Sequence, residues 1–182
     1  MEKSYKFRIY PSKEQELQIQ KTFGSCRFIY NYYLDKRIKS YENDKTTFNY
    51  YDCSKDLPVL KNEFDWLKEI DSTSLQSSLK DLDNAYNNFF RNLKKGKNLG
   101  FPKFKSKKNN YKSFKTGKNG NKPDNIQVLS NKIKLPKLKL VECKVSKQIE
   151  GRILSATISQ NPSGKYFVSV CCADVMPKIL EK

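Results

Sequence analysis

The stretch Ser4-Tyr5-Lys6-Phe7-Arg8-Ile9-Tyr10 carries the decisive pattern. Tyr5, Phe7 and Ile9 alternate with Lys6 and Arg8, and that period of two predicts a half-buried strand. Pro11 ends it. A lone strand is not stable in water, so residues 4–10 must join a sheet made elsewhere in the chain. The next strand-rich sequence begins only at Ile126. Everything between is then expected to be an insertion into a β-domain.

What lies between reads as helical. Ser12 and Gln15 form a capping-box pattern that starts a helix running toward Gly24, a natural stop or hinge. A longer helix is expected from about Ser25 to Tyr41, with Cys26, Ile29, Tyr30, Tyr33, Leu34, Ile38 and Tyr41 at three- and four-residue steps. Residues 42–49 read as a loop. A short helix around Tyr50–Lys55 precedes Pro58, and a turn or two with Trp66 and Leu67 as anchors follows. Ser72 caps a further helix through Phe90, whose apolar face is Leu75, Leu79, Leu82, Tyr86, Phe89 and Phe90. Tyr30, Tyr33, Leu34, Ile38, Trp66, Leu67, Leu79, Leu82 and Phe89 are expected in the core.

The periodicity returns to two after Ile126. Residues 126–129, 132–135, 138–145, 152–159 and 166–172 are strand candidates, and Asn161-Pro162-Ser163-Gly164 is a turn joining the last two. The expected class is therefore α+β: a β-domain, read as a β-barrel closed from both ends of the chain, with a helical lobe inserted after its first strand. Residues 1–11 would give the first strand, 12–92 the helical lobe, 93–125 a basic loop, 126–175 the rest of the barrel, and 176–182 the start of a linker.

Charge divides the chain as sharply as periodicity does. Residues 1–90 hold fourteen basic and fourteen acidic side chains, whereas residues 91–182 hold twenty-two and five, so the whole net charge of +17 falls in the second half. Arg91 to Lys115 carries ten basic residues, no acid, and the aromatics Phe101, Phe104, Tyr111 and Phe114, and the acid-free run extends from Asn84 to Pro123. Such a run repels itself and calls for an anionic partner. Lysines interleaved with flat rings suit a nucleic acid, the charges meeting phosphates and the rings stacking on bases.

Other classes fare worse. No segment has eighteen consecutive apolar residues, and the N-terminus has no apolar signal-peptide core, so neither a membrane span nor secretion is expected. The five cysteines include no C-x-x-C pair and histidine is absent. That disfavours zinc and fits buried thiols in a reducing, cytoplasmic setting.

Three segments in order resemble one family: YKFRIYPSKEQ with FGSCRFIYNYYLDKR, then STSLQSSLKDLDNAYNNFFRN, then GFPKFKSKKNNYKSF. They look like the N-terminal part of TnpB, the OrfB-type protein of bacterial insertion sequences and a relative of the type V CRISPR effectors. The resemblance covers essentially the whole chain. It implies a wedge barrel, an inserted recognition lobe, a transposon-derived guide RNA and a double-stranded target DNA, with a RuvC-like two-metal nuclease following the barrel. The nuclease's G-I-D-x-G pattern and its four-cysteine zinc ribbon are absent here. The expectation is thus a binding part without its own nuclease centre, acting in DNA transposition, with no metal or other cofactor of its own and a nuclease-bearing partner chain as one arrangement. A plain RNA- or DNA-binding structural module and the binding half of a split nuclease are the alternatives.

Lys103, Lys105, Lys107, Lys108, Lys112 and Lys115 are the leading phosphate contacts, with Arg91 at the head of the run. Phe101, Phe104, Tyr111 and Phe114 are the base-stacking candidates, divided between stacking and simple packing. Lys6 and Arg8 share the polar face of the first strand, where an RNA would find them. Arg27 is open between a contact to nucleic acid and an ion pair with Asp35 or another acid. Gln and Lys can read adenine and guanine edges. The resemblance accordingly implies Gln76, Lys80, Ser113 and Lys115 as readers of a short motif beside the target.

Overall fold

The computed structural model describes residues 1–97, 100–108, 111–118 and 125–175. It is an α+β protein whose elements run β1 (Lys3–Tyr10), α1 (Lys13–Asp44), α2 (Tyr50–Glu63), a 3-10 helix (Asp65–Glu69), α3 (Ser72–Lys94), β2 (Lys112–Gly117), β3 (Gln127–Val128), β4 (Lys132–Leu135), β5 (Lys139–Lys144), β6 (Arg152–Gln160) and β7 (Tyr166–Ala173). The chain divides into two compact units. One comprises Met1–Lys21 with Asn110–Lys182, and the other Thr22–Asn109.

The first unit is a seven-stranded antiparallel sheet in the order β2-β6-β7-β1-β5-β4-β3. β1 lies between β7 and β5, with Phe7 opposite Val168 and Ile9 opposite both Tyr166 and Cys143. The partners that the isolated N-terminal strand required are thus late strands. Tyr5, Phe7 and Ile9 are buried together with Ile158, Val168, Val170 and Val141. This is the inner face of the sheet.

The expected barrel is corrected to an open sheet. Closure would need the two edge strands to bond to each other, and among the described residues β2 pairs only with β6 and β3 only with β4. β3 has two residues, too few to carry a closing ladder. The basic loop is also corrected in part. Its segment Lys112–Gly117 is strand β2, paired along its length with β6. The remainder of 93–125 lies partly outside the described residues, as does the linker stretch 176–182.

Two local devices fix the sheet. Ser12 and Gln15 form the expected capping box: the Ser12 amide donates to Gln15 Oε1 at 3.0 Å and the Gln15 amide to Ser12 Oγ at 3.3 Å. Gln15 Nε2 then donates to the carbonyls of Leu138 and Leu140, fastening the start of α1 to β5 and the turn before it. The expected 161–164 turn closes the β6–β7 hairpin, with Asn161 Oδ1 accepting from the Lys165 amide at 2.8 Å and Gly164 at φ +77°.

The second unit is helical. α1 runs through Gly24 without a break, because buried residues continue at three- and four-residue steps on both sides of it: Ile19, Phe23, Cys26, Tyr30 and Tyr33. It also extends into residues 42–44, expected as loop. α2 likewise runs through Pro58, whose missing N–H costs one helical bond while Cys53, Leu57 and Leu60 keep the buried face intact. Asp71 rather than Ser72 caps α3, accepting from the Ser74 amide at 3.1 Å. Trp66 is 42% exposed, contrary to its expected core role, Tyr41 and Phe90 of the expected apolar faces are also exposed, and Ile38 and Phe89 are half-buried. Trp66 instead sets its edge against Phe28 and Phe64. Arg37 is buried, pairs with Asp83 at 3.1 Å, and lies over the Tyr86 ring.

Candidate nucleic-acid interface

The helical unit carries most of the cations that the sequence singled out. Residues 100–108 follow α3 and are anchored at two points. Phe101 sets its ring edge-on against Tyr86 and Phe89 of α3, with centroids 5.4 Å apart in each case. Asn31 of α1 clamps Lys105 by a reciprocal pair: Asn31 Nδ2 donates to the Lys105 carbonyl at 2.9 Å, and the Lys105 amide donates to Asn31 Oδ1 at 2.8 Å. Lys105 Nζ rests 4.2 Å from the centre of the Tyr30 ring. Between and beyond these anchors Lys103, Phe104, Lys107 and Lys108 are exposed, Phe104 by 54%. The stretch is held in place, yet its lysines point outward with no acid in the run from Asn84 to Pro123.

Gln76 and Lys80 are exposed one turn apart on α3. Arg91, in the last turn of α3, is exposed and donates to Asn88 Oδ1 at 2.7 Å. Arg27 is half-buried on α1. The pairing with Asp35 considered for it is not what Asp35 makes. Asp35 instead takes Lys39 at 2.6 Å.

The sheet unit holds the others. Lys6 and Arg8 project from β1 on the face opposite Tyr5, Phe7 and Ile9, and Ser113 and Lys115 occupy the same outer face of β2. Register sets them in rows. Ser113, Ser159, Phe167, Arg8 and Lys144 form one row across five strands, and Lys115, Thr157, Ser169 and Lys6 form the next. Lys112 is half-buried opposite Gln160. Tyr111 is 54% exposed just ahead of β2.

Phe114 is corrected. It is only 8% exposed, on the inner face of β2 opposite Ile158, and cannot stack on a base. Phe101 is 45% exposed but committed on one side to α3, while Phe104 and Tyr111 are each 54% exposed.

Sequence reasoning missed Phe167. It interrupts the apolar alternation of Tyr166, Val168, Val170 and Cys172, standing on the outer face where hydroxyls and cations otherwise dominate. Lys6 Nζ lies 4.8 Å, and Arg8 Cζ 5.7 Å, from its ring centre. Arg8 also covers the Tyr10 ring at 5.1 Å. An aromatic in a polar position of an alternating strand was the available signal.

The family model described as the helix-turn-helix domain of OrfB proteins of IS605 type matches residues 1–46. A protein named as an RNA-guided DNA endonuclease, InsQ, of Escherichia coli (strain K12) is 34% identical over 171 residues, which cover 92% of this chain and 39% of that protein. A second protein named as an RNA-guided DNA endonuclease, from Streptomyces pristinaespiralis, is 28% identical over 97% of this chain and 42% of its own length. The virulence protein VsdF of Salmonella dublin is 31% identical over 116 residues, 59% of this chain and 95% of VsdF.

The chain carries the OrfB-type domain of IS605 type in its first 46 residues and is similar along most of its length to proteins named as RNA-guided DNA endonucleases.

It spans about two fifths of the length of the two endonucleases it matches. The region described as helix-turn-helix is, in this fold, strand β1 followed by one uninterrupted helix. A helix-turn-helix motif inserts its second helix in the major groove after a sharp turn. Residues 1–46 contain no such turn, so any contact with DNA here has another geometry.

Proposed function

We propose that this chain is the nucleic-acid-binding part of an RNA-guided DNA endonuclease system of TnpB type, engaging a transposon-derived guide RNA and double-stranded target DNA. The observation that carries the reading is the anchored stretch 100–108. Two fixed points hold its backbone while Lys103, Lys107 and Lys108 stay exposed beside Phe104. Ordered cations around a ring suit a phosphate backbone, since little entropy remains to be lost on binding. Base pairing would read sequence, and the protein would read backbone and a short adjacent motif. Gln76 with Lys80 in one unit, and Ser113 with Lys115 in the other, are the motif-reading candidates.

The reading assigns no cleavage chemistry to this chain. Two-metal phosphodiester hydrolysis needs convergent carboxylates, and no group of three His, Cys, Asp or Glu clusters among the described residues. A divalent metal and the nuclease step would belong to a RuvC-type domain on the same or a partner chain. Among the described residues no helix is long and apolar enough to cross a membrane, which fits a reading with nucleic-acid partners and no membrane partner.

The test is binding of the full chain to element-derived RNA, unrelated RNA and duplex DNA, followed by incubation with magnesium. Salt-sensitive binding with preference for the element's RNA, and no cleavage, is expected. Equal binding to every RNA would reduce the protein to an unguided binding module. Metal-dependent cleavage abolished by Asp174→Ala would overturn the assignment of chemistry elsewhere.

A further inference from the structure

The outer face of the sheet is built differently from the anchored loop, and it presents an assembled set of groups. Tyr10, 50% exposed, and Phe167, half-buried beneath Lys6 and Arg8, set their rings on that face, both under the Arg8 guanidinium. Lys6 covers Phe167 from the neighbouring position. Lys115 and Lys144 flank them on β2 and β5. Among the described residues none of Lys6, Arg8, Lys115 and Lys144 has a carboxylate within ion-pair distance, and Glu142, the acid on this face of β5, is taken by Lys132 at 3.1 Å. Arg8 Nε is buried with no hydrogen-bond partner. An unpaired guanidinium donor beside two rings is a polar group that calls for a partner. The hydroxyls of Ser113, Thr157 and Ser169 fill the rows between the cations.

We propose that this face binds an unpaired stretch of RNA, with Phe167 and Tyr10 each stacking a base while Lys6, Arg8, Lys115 and Lys144 meet the phosphates. The proposal rests on the nucleic-acid reading above and adds the strand state and the residues that recognise it. A cation lying over an exposed ring is held more weakly than a base stacked on one. An incoming nucleotide therefore moves Lys6 and Arg8 from the rings to its phosphates and takes their place. Five strands at a spacing of about 4.8 Å make the row roughly 19 Å wide, room for several nucleotides. Duplex is disfavoured, because its bases are already stacked on one another and a flat row of rings has nothing to pair with.

The experiment measures affinity of the full chain, by fluorescence anisotropy, for a U-rich RNA of about 12 nucleotides, the same sequence as single-stranded DNA, and a matching duplex, a length within the usual span of such surfaces. Phe167→Ala and Tyr10→Ala are each expected to weaken single-strand binding by about 5- to 100-fold, the range that stacking energies give. Duplex binding should stay within about twofold, and Phe167→Trp should retain or exceed the original affinity. Circular dichroism checks folding, and Tyr10, being exposed, provides the second variant if Phe167→Ala unfolds. Unchanged single-strand affinity in both folded alanine variants overturns the proposal, as does an equal loss on duplex. A loss seen only with DNA overturns the assignment to RNA. If replacing Lys103, Lys105, Lys107 and Lys108 abolishes binding while these variants do not, the inference fails and the broader reading stands. If none of the variants matters, both fail.

Discussion

In the helical unit, the cations of residues 100–108 stand on a backbone fixed at two places, by Phe101 on α3 and by the Asn31–Lys105 clamp. In the sheet unit, Lys6, Arg8 and Lys115 stand on strands bonded to neighbours residue by residue. The side-chain chemistry is the same, but the means of support differ. A loop held by two anchors can loosen when either is removed, whereas a sheet position moves only if the register itself fails. The loop should therefore be tunable by single substitutions, and the sheet should respond to them all or none.

Glycines give the largest contrast. Gly151 precedes β6 with φ +81°, and an added Cβ would lie 2.0 Å from the Ala173 carbonyl oxygen and 3.0 Å from Val175 Cγ2. That oxygen belongs to β7, a backbone atom that cannot move aside cheaply. Gly151→Ala should cost more than about 3 kcal/mol of stability, since left-handed strain and a backbone clash combine. At Gly24, inside α1, an added Cβ would meet nothing within 4 Å. Gly24→Ala should stabilise by roughly 0.5–1 kcal/mol. Urea denaturation of both variants decides the matter. A Gly151→Ala protein as stable as the parent would show that the sheet tolerates local shifts and would erase the contrast.

Charge comes next. Replacing Lys103, Lys105, Lys107 and Lys108 by Ala should make the slope of log affinity against log salt shallower by about 3, as four phosphate contacts require. Affinity should fall about equally across sequences. An unchanged slope would return these lysines to solvent and leave the sheet face as the electrostatic site.

Thiols in both units report the same burial by a pH route. Burial raises the Cys26 thiol in the helical unit and the Cys143 thiol in the sheet unit to about 11, from an ordinary 9.0. The unfolded chain ionises them near 9.0, so the folded state holds more protons above that pH. Their contribution is present below about pH 9 and is lost as pH rises through about 11. Stability should fall over that window. Cys26→Ala and Cys143→Ala should each flatten the fall relative to their own value at about pH 7. Parallel curves would mean that the thiols ionise no differently once the chain unfolds.

Much of this arrangement was legible because its signals are periodic. The alternation at 4–10 and the want of an early partner were enough to send β1 to the late strands. β2 was hidden, since Lys112–Gly117 has Phe114 and Thr116 as its inward residues and lies in a run whose charge reads as loop. Gly24 and Pro58 were overread as punctuation, because buried stripes on either side of them outweigh a local penalty of about 1–3 kcal/mol. The barrel could not be decided from strand count, because closure depends on the length of the last pairing and β3 is short. Among site residues, Lys6 and Arg8 followed from alternation alone. Phe167 did not, because its meaning comes from Arg8 opposite it, and register between the two ends of a chain is not written in any local pattern.

The smallest effect tests the loop's anchoring directly. Asn31 makes both hydrogen bonds to the Lys105 backbone, and both are exposed to water. Exposed bonds contribute near the low end of about 0.5–1.5 kcal/mol each, so Asn31→Ala should lower global stability by about 1 kcal/mol. The local consequence is larger than the global one. The Lys105 amide loses its acceptor, and its hydrogen exchange should accelerate while amides of α1 and α3 stay protected. Binding should weaken about three- to tenfold, because the loop must then be ordered by its ligand rather than beforehand. Asn31→Asp separates the two bonds: the carboxylate still accepts from the Lys105 amide but no longer donates to its carbonyl, so exchange should stay slow. Its added negative charge beside the lysines should nonetheless reduce affinity, and less so at high salt. If Asn31→Ala accelerates exchange at Lys105 without touching affinity, the order of the loop is irrelevant to binding, and the difference between anchored loop and paired sheet has no functional meaning.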